Sequence, residues 1–525
     1  MVSLKSLNIE LVFISYIINN FVKLMKNINS ITIVGGGTAG LISALMLKTK
    51  FPQKNITIIE SSKIGIVGVG ESSTEHWAEF CKFVGIPQLA SILECNATFK
   101  IGVYFENWSD QDFMHSISPP HSYLENNYYK IYGHIIANNY TPSRLQSKKS
   151  WENLVGMSYF NNLNDSPTNQ YHFDTFSLNK FLHGKCIDKK IKIVNDDVNY
   201  VKIDDKTEEI LYVTSEKNKY IADFFIDCSG FSKFLLNKFY NIKWISYSQY
   251  LPVNSAIAFA TDEMEEYNKY TKSTARNAGW SWTIPTQTRT GNGYVYCDKF
   301  ISEQEALEEM EIAYGQKLEI SKSFKFDPGR LEKSWHKNCF AIGLSQSFVE
   351  PLEATSIGSI IQQMFCFTNF LPSYDIDTCN ENINNVFDNI VDYIQAHYLI
   401  KKENTPFWKE IKYNLKLTEN LKKYLKIWEN RLPQPTDIQC SWGMFSAVNY
   451  IQILYGLGWF DVKKIKQEYE NLRKDNNIDS VLNLEDSESF WVSHKKMVKI
   501  LVKNYHKKNK KEKKELDFVS FSTYN

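Results

Sequence analysis

The tightest constraint on this chain lies near its start. Ile31-Thr32-Ile33-Val34 reads as a buried strand, and Gly35-Gly36-Gly37-Thr38-Ala39-Gly40 reads as a glycine turn. Residues 41–50 then read as a helix, and Asn55-Ile56-Thr57-Ile58-Ile59-Glu60 as a second strand. This is a βαβ unit with GxGxxG at its first turn. Gly35 allows the tight turn, Gly37 lets backbone approach a pyrophosphate, and Gly40 lets helix and strand pack closely. The helix that follows offers free amides and a positive dipole end to phosphate, with Thr38 and Ala39 of the turn beside it as candidate cofactor contacts. Glu60 follows Gly40 by about 20 residues, where an acid binds a ribose diol. The unit therefore predicts dinucleotide binding.

Later segments extend that fold. Gly65-Ile66-Val67-Gly68-Val69-Gly70-Glu71-Ser72 is a second glycine cluster, placed to strap over a cofactor. Residues 198–230 contain alternating strands and end in Asp227-Cys228-Ser229-Gly230. Such an ending is a frequent late element of FAD-binding folds. Residues 338–345 read as a strand leading into a glycine turn, and a helix is expected from about 359 to 370, which sets Thr355 and Ser356 near a helix N-terminus suited to a small anion. Beyond residue 380 the chain reads as largely helical, with a break at Pro433-Gln434-Pro435. The expected class is α/β: a discontinuous, Rossmann-like (GR2-type) FAD-binding domain, an inserted mixed β-sheet substrate region and a helical C-terminal part. The expected boundaries are an N-terminal extension over 1–30, the FAD and substrate/halide region over 31–380, a helical substrate cover over 381–502 and a basic tail over 503–525.

Composition narrows the setting. A net charge of +1 gives no argument for nucleic acid or membrane. The apolar stretch over 11–22 is too short to span a bilayer. A signal peptide with Lys5 as its n-region stays open, although no small-residue cleavage site stands out. Residues 1–24 read as a dispensable extension or a mis-set start, with Met25 just ahead of the fold. Nine cysteines without a CxxC pair argue against a disulfide framework or zinc site. Ten histidines show no HExxH spacing, so no metal is expected. A reducing, cytoplasmic setting follows most simply. The lysine run from Lys503 to Lys514 reads as a solvated tail.

Gly279-Trp280-Ser281-Trp282-Thr283-Ile284-Pro285 is a strand pattern with both indoles on one face and a proline to stop it. With the nucleotide fold, Trp-x-Trp-x-Ile-Pro resembles the signature of flavin-dependent halogenases of the tryptophan-halogenase type. The resemblance runs from about residue 30 to 460. It includes Glu94-Cys95-Asn96-Ala97-Thr98-Phe99-Lys100, Tyr171-His172-Phe173-Asp174 and Phe348-Val349-Glu350-Pro351-Leu352-Glu353-Ala354-Thr355-Ser356-Ile357. His397-Tyr398 and Pro406-Phe407-Trp408 also fit.

The resemblance implies a chemistry. Reduced FAD from a separate flavin reductase, oxygen and halide (chloride, bromide or iodide) yield hypohalous acid. That acid crosses an internal tunnel to a lysine, which passes electrophilic halogen to an electron-rich ring. By motif match the lysine is Lys100 and the partner carboxylate is Glu353. Thr355 and Ser356 match the halide-binding pair, and Leu344, Ile357 and Val198 match flavin contacts, beside Gly70 and Ser72. Trp280 and Trp282 would keep substrate away from flavin. A lysine ammonium can hydrogen-bond hypohalous acid, or a neutral amine, favoured by desolvation, can form a haloamine. A carboxylate can stabilise the cationic ring and take its proton. Two positions depart from the family pattern: Ser356 replaces a glycine and Ala354 a serine. No match is seen to residues that grip the amino-acid end of free tryptophan. The substrate class is therefore an indole, phenol or pyrrole, free or carrier-tethered. A homo-oligomer stays open. The competing readings are an FAD-dependent aromatic monooxygenase, which typically carries Gly-Asp-Ala where this chain has Gly343-Leu344-Ser345, and a non-catalytic flavin-binding homologue.

Overall fold

The computed structural model describes residues 28–65, 71–116, 132–133, 135–137, 166, 168–471 and 493–509. The chain opens with strand β1 (Ser30–Val34), helix α1 (Thr38–Lys50) and strand β2 (Asn55–Glu60). Short strands β3 (Glu71–Ser72) and β4 (Thr98–Lys100) precede β5 (Gly102–Glu106), β6 (Phe113–Ser116) and β7 (Gln170–Phe173). Helix α2 (Thr175–Asp188) leads to β8 (Lys192–Asn195) and β9 (Phe224–Asp227). An antiparallel run follows: β10 (Ser255–Thr261), β11 (Thr271–Arg276), β12 (Gly279–Pro285), β13 (Thr290–Tyr296) and β14 (Ile320–Lys325). The chain then returns through β15 (Trp335–His336) and β16 (Cys339–Ala341) to helices α3 (Thr355–Phe370), α4 (Ile376–Ala396), α5 (Ala447–Gly456) and α6 (His494–Asn509).

Three sheets position the site. The nucleotide sheet has the order β15-β16-β9-β1-β2-β8, parallel except for β15. Its central strand β1 is buried, so its run of Ile and Val is continuous rather than alternating. Helices α1 and α3 pack on it and fill the main core with Leu41, Leu45, Ile361 and Met364. The second sheet, β14-β10-β13-β12-β11-β5-β6, is mixed, because β11 pairs parallel to β5. The third, β3-β7-β4, is antiparallel, and its strands flank β5 and β6 of the second sheet in sequence. Strands 30–34, 55–60, 192–195, 224–227 and 339–341 meet in one sheet, so the nucleotide fold is interrupted by strands of the other two sheets.

Two helices start earlier than the sequence pattern indicates. The first begins at Thr38, inside the glycine motif, and α3 begins at Thr355. Turn glycines and polar residues at a helix start carry no apolar periodicity, so the pattern reads late. The lysine run starts inside a helix. Helix α6 packs through Met497, Val498 and Leu501, and Lys503 extends it. The rest of that run from Lys510 lies outside the described residues, as do residues 1–27. All nine cysteines are free thiols. No described helix is long and apolar enough to cross a membrane.

Candidate active site

The glycine turn has the shape that its sequence demands. Gly35 sits at φ +118°, and a Cβ there would lie 2.2 Å from the Cys228 carbonyl oxygen. A Cβ on Gly40 would lie 2.0 Å from the Gly35 carbonyl oxygen. Both positions therefore exclude side chains. Gly37 is the opposite case: a Cβ there would meet nothing within 4 Å. Its glycine is not needed by the protein's own packing, as expected where a ligand approaches backbone. Helix α1 has no side-chain cap at Gly37, so its first amides, from Thr38 and Ala39, are free for phosphate. The Glu60 carboxylate folds beside Gly36 and lies 3.3 Å from His183 Nε2. These residues fit a dinucleotide.

The other matched flavin positions scatter more. Gly343 takes φ +64°, and its turn packs so tightly on Ala39 that a Cβ would come within 2.7 Å of it, which carries half-buried Leu344 to the start of α1. Ile357 is buried in the first turn of α3. Val198 packs against the small cluster of Val34, Ile59 and Val201 beyond β8. Ser72 is away from the turn, on β3, where it accepts from Thr271 Oγ1 at 3.3 Å. Gly70 lies outside the described residues.

Lys100 ends β4 with no exposed surface, and its Nζ donates to the Ser73 carbonyl at 2.9 Å. Burial lowers its pKa to about 8, although the Glu353 and Glu75 carboxylates pull the other way. Glu353 is equally buried. His115 Nδ1 lies 2.8 Å from its Oε2, and His397 Nε2 lies 2.9 Å from its Oε1. Burial alone would raise this carboxyl, but the two imidazoles outweigh it and hold the pKa at about 2. Asn449 Nδ2 lies 3.0 Å from His115 Nε2, and the Tyr393 hydroxyl lies 3.2 Å from each nitrogen of that ring. His397 Nδ1 faces the Tyr393 carbonyl at 2.9 Å, so both of its nitrogens face acceptors. The carboxylate is thus gripped from two sides and cannot swing.

Glu353 and Ala354 both adopt left-handed backbone, at φ 67° and 56°. Strain of about 1–2 kcal/mol per such residue persists only where surrounding structure enforces it. The result aims the Glu353 side chain inward and turns the chain into α3. That helix has no side-chain cap, leaving the Thr355 and Ser356 amides unbonded within it. An αL residue followed by an αR residue forms a concave set of N–H groups, which suits a halide. Thr355 is buried and Ser356 is exposed at the rim. Next in the helix, Gly358 approaches Thr74 closely, since a Cβ would lie 2.4 Å from Thr74 Oγ1. The Ser73–Thr74 segment therefore joins the first turn of α3 to the Lys100 ammonium.

Trp280 and Trp282 share one face of β12, with ring centroids 6.3 Å apart. Trp280 is buried, and Trp282 is half-buried and lies flat across Gly293, where a Cβ would be 2.0 Å from its ring. The Trp280 indole donates to Glu350 Oε1 at 3.2 Å, and the Tyr398 hydroxyl donates to the same oxygen at 2.7 Å. Burial pushes Glu350 up to about 8, so this carboxyl is mostly protonated at neutral pH. The sequence reading gave no role to Glu350 or His115, and it listed His397-Tyr398 without one. Glu350 could have been suspected from its place three residues before Glu353 in one motif. His115 has no motif, because its partner is 238 residues away.

Residues 30–469 match the tryptophan halogenase family model. The 7-chloro-L-tryptophan 6-halogenase KtzR of Kutzneria sp. (strain 744) is 31% identical over 470 residues, covering 81% of this chain and 90% of that protein. The tryptophan 7-halogenase RebH of Lentzea aerocolonigenes is 30% identical, over 82% of this chain and 90% of its own length. Among solved structures, a tryptophan halogenase from Shewanella frigidimarina NCIMB 400 superposes with TM-score 0.79 at 24% identity. It covers 91% of this chain and 99% of its own.

Proposed function

Because the chain belongs to the tryptophan-halogenase family of flavin-dependent halogenases, we propose that Lys100 and Glu353 carry out its halogen transfer. The enzyme halogenates an aromatic substrate, using FAD reduced by a separate reductase. Bound reduced FAD supplies the oxygen chemistry that turns halide into hypohalous acid.

The chain's own residues divide the remaining work. Gly35, Gly37, Thr38, Ala39 and Gly40 hold the pyrophosphate, and Glu60 accepts from the ribose diol. Gly70, Ser72, Val198, Leu344 and Ile357 complete the flavin contacts. The Thr355 and Ser356 amides hold halide at the start of α3. Trp280 and Trp282 wall the cofactor from the ring to be halogenated. Lys100 receives hypohalous acid, and its ammonium donates to the departing oxygen. Glu353 faces the ring cation and takes its proton.

The carrying observation is the pairing of two fully buried, opposite charges. Lys100 and Glu353 come from segments 253 residues apart in the chain, yet the lysine feels the carboxylate. A structural ion pair would bring them into contact, whereas Glu353 is bonded by imidazoles and Lys100 by a carbonyl. That leaves both free to act on something between them. The substrate is an electron-rich indole, phenol or pyrrole, free or carrier-tethered, and nine free thiols support a cytoplasmic setting.

The test is Lys100→Ala beside Glu353→Gln, with FAD, a reductase, bromide and a panel of rings. Lys100→Ala should consume reduced flavin at the wild-type rate and lose nearly all aryl bromide. Glu353→Gln should slow bromination without changing flavin consumption. Their effects should not add, since both serve one transition state. Full product from Lys100→Ala would mean freely diffusing hypohalous acid and would remove this assignment.

A further inference from the structure

The third sheet has two unlike faces. Lys100 stands directly opposite Gln170 in the β4–β7 ladder, and Thr98 and Ser72 stand opposite His172. Opposite residues share a face, with Cβ atoms about 5 Å apart. One face is therefore polar: Ser72, Thr98, Lys100, Gln170 and His172, all buried. The other carries Phe99, Tyr171 and Phe173. A buried polar face is costly unless its groups are bonded.

Most of that face is satisfied. His172 reaches Thr98 Oγ1 at 3.2 Å and Thr271 Oγ1 at 3.0 Å, Thr98 donates to the Pro285 carbonyl at 2.8 Å, and Lys100 donates to Ser73. Gln170 is the exception. Its side chain has no exposed surface, and neither Oε1 nor Nε2 has a hydrogen-bond partner. An amide that can make four hydrogen bonds makes none, next to the proposed transfer lysine. Leaving it so would cost about 1–3 kcal/mol, so the amide is built to meet something other than protein.

We propose that Gln170 and Lys100 together form the docking site for hypohalous acid, water filling that place at rest. This rests on the assignment of Lys100 above. The ammonium donates to the hypohalous oxygen while Gln170 Oε1 accepts its O–H. Two hydrogen bonds then fix the oxygen and leave the halogen as the free end. In transfer, the ring carbon bonds the halogen as the O–X bond breaks, its electron pair staying on oxygen. That oxygen takes the Lys100 proton and leaves as water, and the ring proton passes to Glu353. A proton passed back to the lysine restores both groups, so the sum is ArH + HOX → ArX + H2O. Gln170 stands opposite Lys100 in the β4–β7 ladder rather than in the glycine turn, so its loss should release oxidant rather than stop its formation.

The experiment uses full-length Gln170→Leu and Gln170→Met with reduced FAD, oxygen and bromide. The ring is whichever of indole, phenol and pyrrole the wild type brominates fastest, and excess N-acetylmethionine traps escaping oxidant as sulfoxide. Aryl bromide per reduced FAD consumed should fall about tenfold, one hydrogen bond's worth, and sulfoxide should rise to match. The melting temperature should stay level or increase, because the amide bonds no protein group and its loss strands none. A crystal structure of the wild type should show ordered water on the Gln170 amide and Lys100 Nζ. If both variants lose several degrees, or the crystal shows the amide bonded to protein, the docking site is refuted. If Lys100→Ala abolishes product while both Gln170 variants keep wild-type yield, Gln170 alone is refuted and the lysine assignment stands. If Lys100→Ala keeps its product, the assignment beneath the proposal has failed instead.

Discussion

Replacing Lys100 by methionine should make this protein more stable at neutral pH while removing its halogen transfer. Methionine keeps the length of the lysine stem and drops the charge. A lysine held at about 8 instead of 10.5 carries roughly 3 kcal/mol against its charged form, at 1.36 kcal/mol per tenfold change. At pH 7 the folded lysine is still mainly charged, so that penalty is present. The variant escapes it but loses the bond to the Ser73 carbonyl, worth about 1 kcal/mol. The net gain is about 1–2 kcal/mol. Its pH dependence is the sharper signature. Between the folded value near 8 and the unfolded value near 10.5, the unfolded chain binds more protons, so wild-type stability from this group rises with pH. The gap in favour of Lys100→Met should therefore hold below pH 8, shrink above it and reverse by about pH 10. Titrations of groups remote from Lys100 cancel in the difference between the two proteins. Urea midpoints from pH 6.5 to 10.5 are the right assay, because a chain this long shifts by only about 1 °C per kcal/mol. A variant less stable than wild type at pH 7, or a gap that ignores pH, would refute the claim that Lys100 is a destabilising charge kept for its chemistry.

Gly37→Val should leave the cofactor-free fold at wild-type stability yet abolish FAD binding, measured by flavin fluorescence titration, because its Cβ meets nothing in the protein. Gly40→Ala should instead impair folding itself, seen as lost soluble yield, since its Cβ would strike the Gly35 carbonyl at 2.0 Å. Glu350→Gln should stay within about 0.5 kcal/mol of wild type, because the amide mimics a carboxyl already protonated at neutral pH. Glu350→Leu should cost about 2–4 kcal/mol in urea denaturation, since it strands the Trp280 indole and the Tyr398 hydroxyl. Bromide or iodide should outperform chloride in side-by-side turnover, being cheaper to desolvate, and Ser356→Gly at the exposed rim should narrow that preference.

Much of the nucleotide fold was legible because its constraints are local. Gly35 answers its own positive φ, Gly40 answers the Gly35 carbonyl close by in the chain, Gly37 leaves room for a ligand, and Glu60 ends the adjoining strand. The strands at 224–227 and 339–341 were readable for the same reason, being apolar runs closed by turn residues. The Trp-x-Trp strand was legible from period 2 alone, down to its shared face and its stop at Pro285. Helix starts were less so, because the glycine turn before α1 and the left-handed pair before α3 leave no apolar period to count.

The sequence by itself determined which residue types stand at the site: a glycine cradle in a βαβ turn, a lysine and a glutamate in matched motifs, and a threonine–serine pair near a helix start. Only the tertiary structure decided what those groups are chemically. Lys100 drops to about 8 through burial, and Glu353 is held at about 2 through His115 and His397. Glu350, three residues from Glu353, moves the other way, to about 8, because burial raises it and the hydroxyl and indole that bond it offset burial less than the imidazoles do at Glu353. Two glutamates of one motif thus differ in charge for reasons absent from the motif. The physical cause is that desolvation and charge–charge energies depend on distance through space. His115, His397 and Tyr398 come near those carboxylates only when β6 and the end of α4 are folded against the start of α3. Gln170 carries the same lesson, since a strand glutamine is ordinary in sequence and conspicuous only once it is buried, unbonded and facing Lys100.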